Sequence, residues 1–171
     1  MSTLILILLI GAGATGVMDL WAVLRKHALG IPPLDYALVG RWIAYLPRGR
    51  FFHHPIAATP SVPGERAMGW IAHYGIGMVF AAALIGIWQD AWLCQPTVGP
   101  ALLVGMISVA APLLVLQPAL GAGIAASRTP RPNMARLHSL VTHAVFGLGL
   151  YLSGWIASKW GFVIGLTLCA K

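Results

Sequence analysis

The sequence predicts an all-α integral membrane protein, a bundle of four transmembrane helices. Three observations carry this. Only 9% of the 171 residues are charged and 58% are hydrophobic, where a soluble domain carries roughly 25% charged residues. Mean hydropathy is +0.82. Four apolar segments are each long enough to cross a hydrocarbon core of about 30 Å, which takes roughly 20 helical residues.

The first helix is expected over 3–29. Its opening "LILILLI" and "GAGATG" resemble a secretory leader, but no basic stretch precedes them and "VMDLWAVL" prolongs the apolar run. It therefore reads as a retained span. The second helix is expected over 67–88, the third over 97–120 and the fourth over 137–158. Pro112 lies inside the third and cannot donate to the Ser108 carbonyl, so a bend or loosening is expected there. The apolar tail 159–171 is too short to span alone, and either extends the fourth helix or lies in the interface.

Eleven bases face four acids, a net charge of +7. In a soluble chain that excess would suggest nucleic acid. Beside hydrophobic spans it points to anionic phospholipid headgroups and to topology, and no nucleic-acid partner is expected. Arg25, Lys26, Arg41, Arg48, Arg50 and Arg66 flank or occupy the first connection, 30–66. Arg128, Arg131 and Arg136 occupy the third, 121–136, while "QDAWLCQP" in the second has no base. The positive-inside rule then makes the first and third connections cytoplasmic and puts both termini on the outer, periplasmic side. Cys94 and Cys169 share that outer face, where a disulfide could form. Two unpaired thiols are the plainer expectation.

The first connection is long and mixed. Its arginines alternate with Trp42, Tyr45, Phe51 and Phe52, and Pro47, Pro55, Pro60 and Pro63 exclude one long helix. It reads as an amphipathic lid lying in the headgroup layer. The sharper alternative is an anion or lipid-headgroup pocket built from Arg41, Arg48 and Arg50, with Arg128, Arg131 and Arg136 on the same face of the membrane. The neighbours His53 and His54 cannot easily face one ligand together. No glycine-rich phosphate loop, H-E-x-x-H or C-x-x-C is present.

Ionisable residues inside a bilayer are costly and tend to face the bundle interior. Asp19 lies six residues before Arg25, His73 seven after Arg66, and His143 seven after Arg136. At 1.5 Å per residue, all three fall about 9–11 Å below the cytoplasmic edge, in one layer. Each sits on a stripe with small residues, which let membrane helices approach closely. The stripes are Gly11, Thr15 and Asp19; Gly69, His73 and Gly77, with Glu65 one turn nearer the edge; and Ser139, His143 and Gly147. Gly105, Ser108 and Pro112 form a comparable stripe, and Gln117 can reach the layer. His138, two residues from Arg136, snorkels to the headgroups.

One plain role for these groups is to fix packing by interhelical hydrogen bonds, worth about 0.6–2 kcal/mol each. The functional reading adopted is a polar site in the cytoplasmic half, made of Asp19, His73, His143, Thr15, Glu65, Ser139 and Gln117. It would bind or transport a small molecule, ion or proton. One alternative is an embedded enzyme holding a metal, haem or quinone with His73, His143 and Asp19, though no spacing specifies a cofactor. Another is an accessory subunit of a membrane complex; a four-helix transporter would instead need to form a homo-oligomer, which the glycine stripes allow.

The strings "GAGATGVMDLWAVL", "LVGRWIAYLPRGRF", "GERAMGWIAHYGIGMVFA" and "QPALGAGIAASRTPRPNMARLHSLVTHAVFGLGLYL" resemble a bacterial inner-membrane family described only as a domain of unknown function. The resemblance extends to about Ser153. It implies a small polytopic protein of the bacterial inner membrane and brings no catalytic residue with it.

Overall fold

The structure, a computed structural model, describes residues 3–163. Among these there is no β-strand, and four helices are long and apolar enough to cross a membrane. The chain is thus all-helical and of multi-pass type. In hydrocarbon every backbone N–H and C=O must find its partner within the segment, and a helix achieves that.

Helix α1 spans Thr3–Leu29. It ends where Gly30, at φ +67°, donates its N–H to the Lys26 carbonyl, and Pro32 and Pro33 prevent continuation. Lys26 and His27 in the last turn suit the negative end of the helix dipole. Helix α2, Tyr36–Tyr45, lies inside the connection that the prolines broke up. Asp35 caps it by accepting the Ala37 N–H at 3.0 Å. Helix α3, Glu65–Cys94, is longer at both ends than the expected 67–88, with its last turn set off by Gln89 at φ +52°.

The third span, Val98–Leu120, is not one regular helix. Helix α4 covers Val98–Ser108, a π-helical stretch covers Ala111–Leu116, and the short α5 covers Gln117–Leu120. Pro112 is the cause. It offers no N–H to Ser108, and the ladder resumes one residue out of step, with Gln117 N–H donating to the Pro112 carbonyl. Helix α6 runs from Pro132 to Val163, so it starts five residues earlier than expected and extends past residue 158. Residues 164–171 of the tail lie outside the described residues. Cys94 is not a free thiol, which corrects the expectation of unpaired cysteines; Cys169 also lies outside the described residues.

Helix α1 packs between α3 and α6, α4 packs on α6, and α2 lies along α3. Glycines make these approaches possible. A Cβ on Gly40 would collide with the Glu65 carbonyl, and one on Gly69 with the Tyr36 carbonyl. On the other side of the bundle, Gly105 lies against Gly147 in the same way.

The two halves of the bundle differ. Away from the basic connections, Ile10, Ala14, Leu84, Ala101, Val104 and Leu150 form a close-packed apolar core. Trp92 sits in it against Gly154 and donates its indole N–H to the Thr97 carbonyl. At the basic end the helices separate around a cavity of about 460 Å³. Phe80 and Phe146, edge to face with centroids 6.4 Å apart, form its floor.

Candidate functional site

Asp19, six residues before the basic end of α1, meets His73 of α3. The His73 Nε2 lies 2.9 Å from Asp19 Oδ1 and 2.9 Å from the Tyr36 hydroxyl. Tyr74 donates its hydroxyl proton to Asp19 Oδ2 at 3.0 Å. With Asp19 ionised, Nε2 carries the proton and gives it to Oδ1, and the Tyr36 oxygen lies within reach of the same hydrogen. Tyr36 also stacks on the His73 ring at 4.2 Å, with Trp70 tilted against it at 4.5 Å. Burial first, and then the Asp19 charge, hold the Tyr36 hydroxyl above its ordinary pKa, so it stays protonated.

Tyr36, Tyr74 and Trp70 are absent from the sequence-based site. Tyr36 arrives from a helix that the connection's prolines disguise. Its place is set by the Asp35 cap and the Gly40–Gly69 approach. Tyr74 follows His73 directly, and only the packing of α1 on α3 reveals that both side chains reach Asp19.

His143 does not join this network. Its Nδ1 lies 2.7 Å from Ser108 Oγ, and the Ser108 hydroxyl donates to the Gly105 carbonyl at 2.6 Å. A hydroxyl has one proton, so Ser108 accepts from Nδ1–H. That fixes the tautomer and leaves Nε2 as an acceptor with no hydrogen bond among the described residues. His73 and His143 both line the cavity, but on different walls. Among the described residues no three of His, Cys, Asp and Glu come together as metal ligands. Equal depth brought two of the three together; helix rotation gave the third to Ser108.

Other groups complete the cavity wall. Gln117 donates its amide N–H to Ser139 Oγ at 3.3 Å, while its Oε1 is buried with no partner. Thr15 lines the cavity but gives its proton to the Gly11 carbonyl at 2.8 Å. His138 reaches the wall as well. Arg25, absent from the sequence-based site, also lines the cavity. Its Nε is buried without a partner, and Arg25 makes no hydrogen bond or ion pair among the described residues. The signal was available, since Arg25 is the first base after a long apolar run.

Glu65 and Arg41 lie elsewhere. Arg41 Nε and Nη2 donate to the two Glu65 carboxylate oxygens at 2.8 and 2.7 Å, and Nη1 donates to the Thr59 carbonyl at 2.8 Å. The Val62 N–H also donates to Glu65. This clamp ties the first connection to the start of α3, so Arg41 has little left for a headgroup. Arg48 and Arg50 lie over the Tyr45 ring, at 4.9 and 5.8 Å. Arg128 donates to His54 Nδ1, Arg136 donates to the Ala125 carbonyl, and Arg131 is exposed. Arg48 and Arg50 share the Tyr45 ring, while Arg41, Arg128 and Arg136 are each held by other groups.

No curated protein and no solved structure matches this chain. One family model does, over residues 8–157, and its description is "protein of unknown function (DUF2938)". That range holds the second and third spans whole, most of the first and fourth, both connections at the basic end and every residue of the cavity wall. The chain accordingly belongs to the DUF2938 family of proteins of unknown function.

Proposed function

We propose that this is a multi-pass protein of the bacterial inner membrane that binds a small molecule in the cavity at its basic, cytoplasm-facing end. The observation that carries the reading is a cavity of about 460 Å³ whose wall holds buried polar atoms without partners among the described residues, Arg25 Nε and Gln117 Oε1. A purely structural role argues for the opposite, because buried polar groups in a packed protein are almost all paired. Cavities of about 300–1,000 Å³, mostly apolar with a few polar groups, are those that hold small organic ligands. The orientation is supported by the bases of the first and third connections. Exposed Arg48, Arg50, Arg66 and Arg131 suit anionic phospholipid at that face.

Binding is preferred to conduction because, among the described residues, the core beyond Phe80 and Phe146 is apolar. Proton exchange is a second reading, favoured by the hydrogen-bonded Asp19–His73–Tyr36 chain at the cavity's edge. The test is native mass spectrometry of protein extracted in mild detergent, beside an Ala111→Phe variant that fills the cavity from its wall. A co-purifying mass that is lost in the variant supports the reading. No bound mass, together with no thermal shift from any compound class, would overturn it.

A further inference from the structure

We infer that the ligand is a single-chain amphiphile with a carboxylate head, taken sideways from the bilayer and held by Arg25; this rests on the small-molecule reading above. The chain has four acids, and none pairs with Arg25. Asp19 accepts from His73 and Tyr74, Asp35 caps α2, and Glu65 holds Arg41. Asp90 is exposed near the far end of α3. Arg25 thus lines the cavity with its Nε buried and no counter-ion among the described residues. Arg25 is half-buried with its Nε out of contact with water, and its forked donors match a carboxylate.

The rest of the wall suits a hydrocarbon body. Met18, Ile76, Phe80, Val115 and Leu116 all line the cavity. From Arg25 down α1 to Thr15, also on the wall, is ten residues, or about 15 Å of depth for a tail. A volume of about 460 Å³ accommodates one acyl chain and is too small for a two-chain phospholipid.

The route follows from the rim. Ile76 and Val115 line the cavity yet are 50% and 54% exposed. Helix α3 packs on α4, whereas its packing on the π-helical stretch is slight. The cavity therefore opens between α3 and residues 111–116, on a surface that faces hydrocarbon in a bilayer.

The experiment uses full-length protein in phosphatidylcholine nanodiscs, with laurate, dodecanol and dodecyl phosphate as probes. Laurate is expected to raise the unfolding temperature saturably, with dodecanol much weaker. Arg25→Gln is expected to weaken laurate about tenfold or more, as loss of a charge-assisted pair does, and to leave dodecanol unchanged. Should Arg25→Gln fail to fold, Arg25→Lys carries the test, with an intermediate loss. Val115→Trp, at the rim, is expected to slow laurate association, and an unchanged rate overturns the lateral route. Laurate binding equal in Arg25→Gln and wild type, but abolished by Ala111→Phe, overturns the carboxylate assignment and spares the cavity. Dodecyl phosphate binding tenfold tighter than laurate also overturns it, in favour of a phosphate head. Unchanged laurate binding in Ala111→Phe overturns the cavity reading itself.

Discussion

At the scale of single residues, the histidines divide by what faces them. His143 donates to a serine hydroxyl that is itself committed to a carbonyl, so Ser108→Ala strands a buried Nδ1–H. The expected cost is about 1–3 kcal/mol, read as a lowered unfolding temperature in detergent; no change would mean that water replaces the serine. His53 is only 6% exposed, bonds Thr59 Oγ1 through Nδ1, and is held by burial below its ordinary pKa of 6.5. The folded state therefore favours the neutral ring, and the unfolded chain takes the proton first as pH falls. Stability from this site is complete above about pH 6.5 and is lost below it. The unfolding temperature is expected to fall between pH 7.5 and 5.5 more in wild type than in His53→Gln; parallel curves would refute the account. The common depth of Asp19 and His73 was legible from counting residues against the flanking arginines. The partner of His143 was not, because depth leaves the angle around the helix axis open.

Among the elements, the third span shows what one residue can do. Pro112 was legible as a disturbance, but not as a π-helical stretch, since the rule says which bond is lost and not how the chain recovers it. One extra residue in a turn rotates everything after it by about 100°. Pro112→Ala restores the missing donor and is expected to draw 111–116 back into α-helix. That turns Gln117 away from Ser139 and narrows the cavity. The expected signature is unchanged or raised thermal stability together with loss of ligand-induced stabilisation, measured on the same preparation. Full retention of ligand stabilisation would show that the π turn does not shape the wall. Helix α2 escaped the sequence reading for a different reason. Its ten residues carry no long apolar run, and its seat on α3 depends on Gly40 and Gly69, some thirty positions apart.

For the molecule as a whole, the spans were plain from hydropathy, whereas the contrast between a packed half and a hollow half was not. The basic half carries the intramembrane polar groups, but whether the helices close on them or separate around them is set by packing. Orientation can be checked directly. Ser61→Cys, in the first connection, is expected to react with a membrane-impermeant maleimide only in opened cells, and Thr97→Cys, in the second, in intact spheroplasts. The reverse pattern would invert the topology and move the cavity to the other side of the membrane. The exposed apolar rim at Ile76 and Val115 carries one more consequence. A site that opens onto hydrocarbon is filled from a second solvent, in which an amphiphile is concentrated far above its level in water. Its occupancy then follows the mole fraction in the bilayer, so a weak intrinsic contact suffices. Any affinity expressed per litre of water will drift with the amount of lipid in the tube.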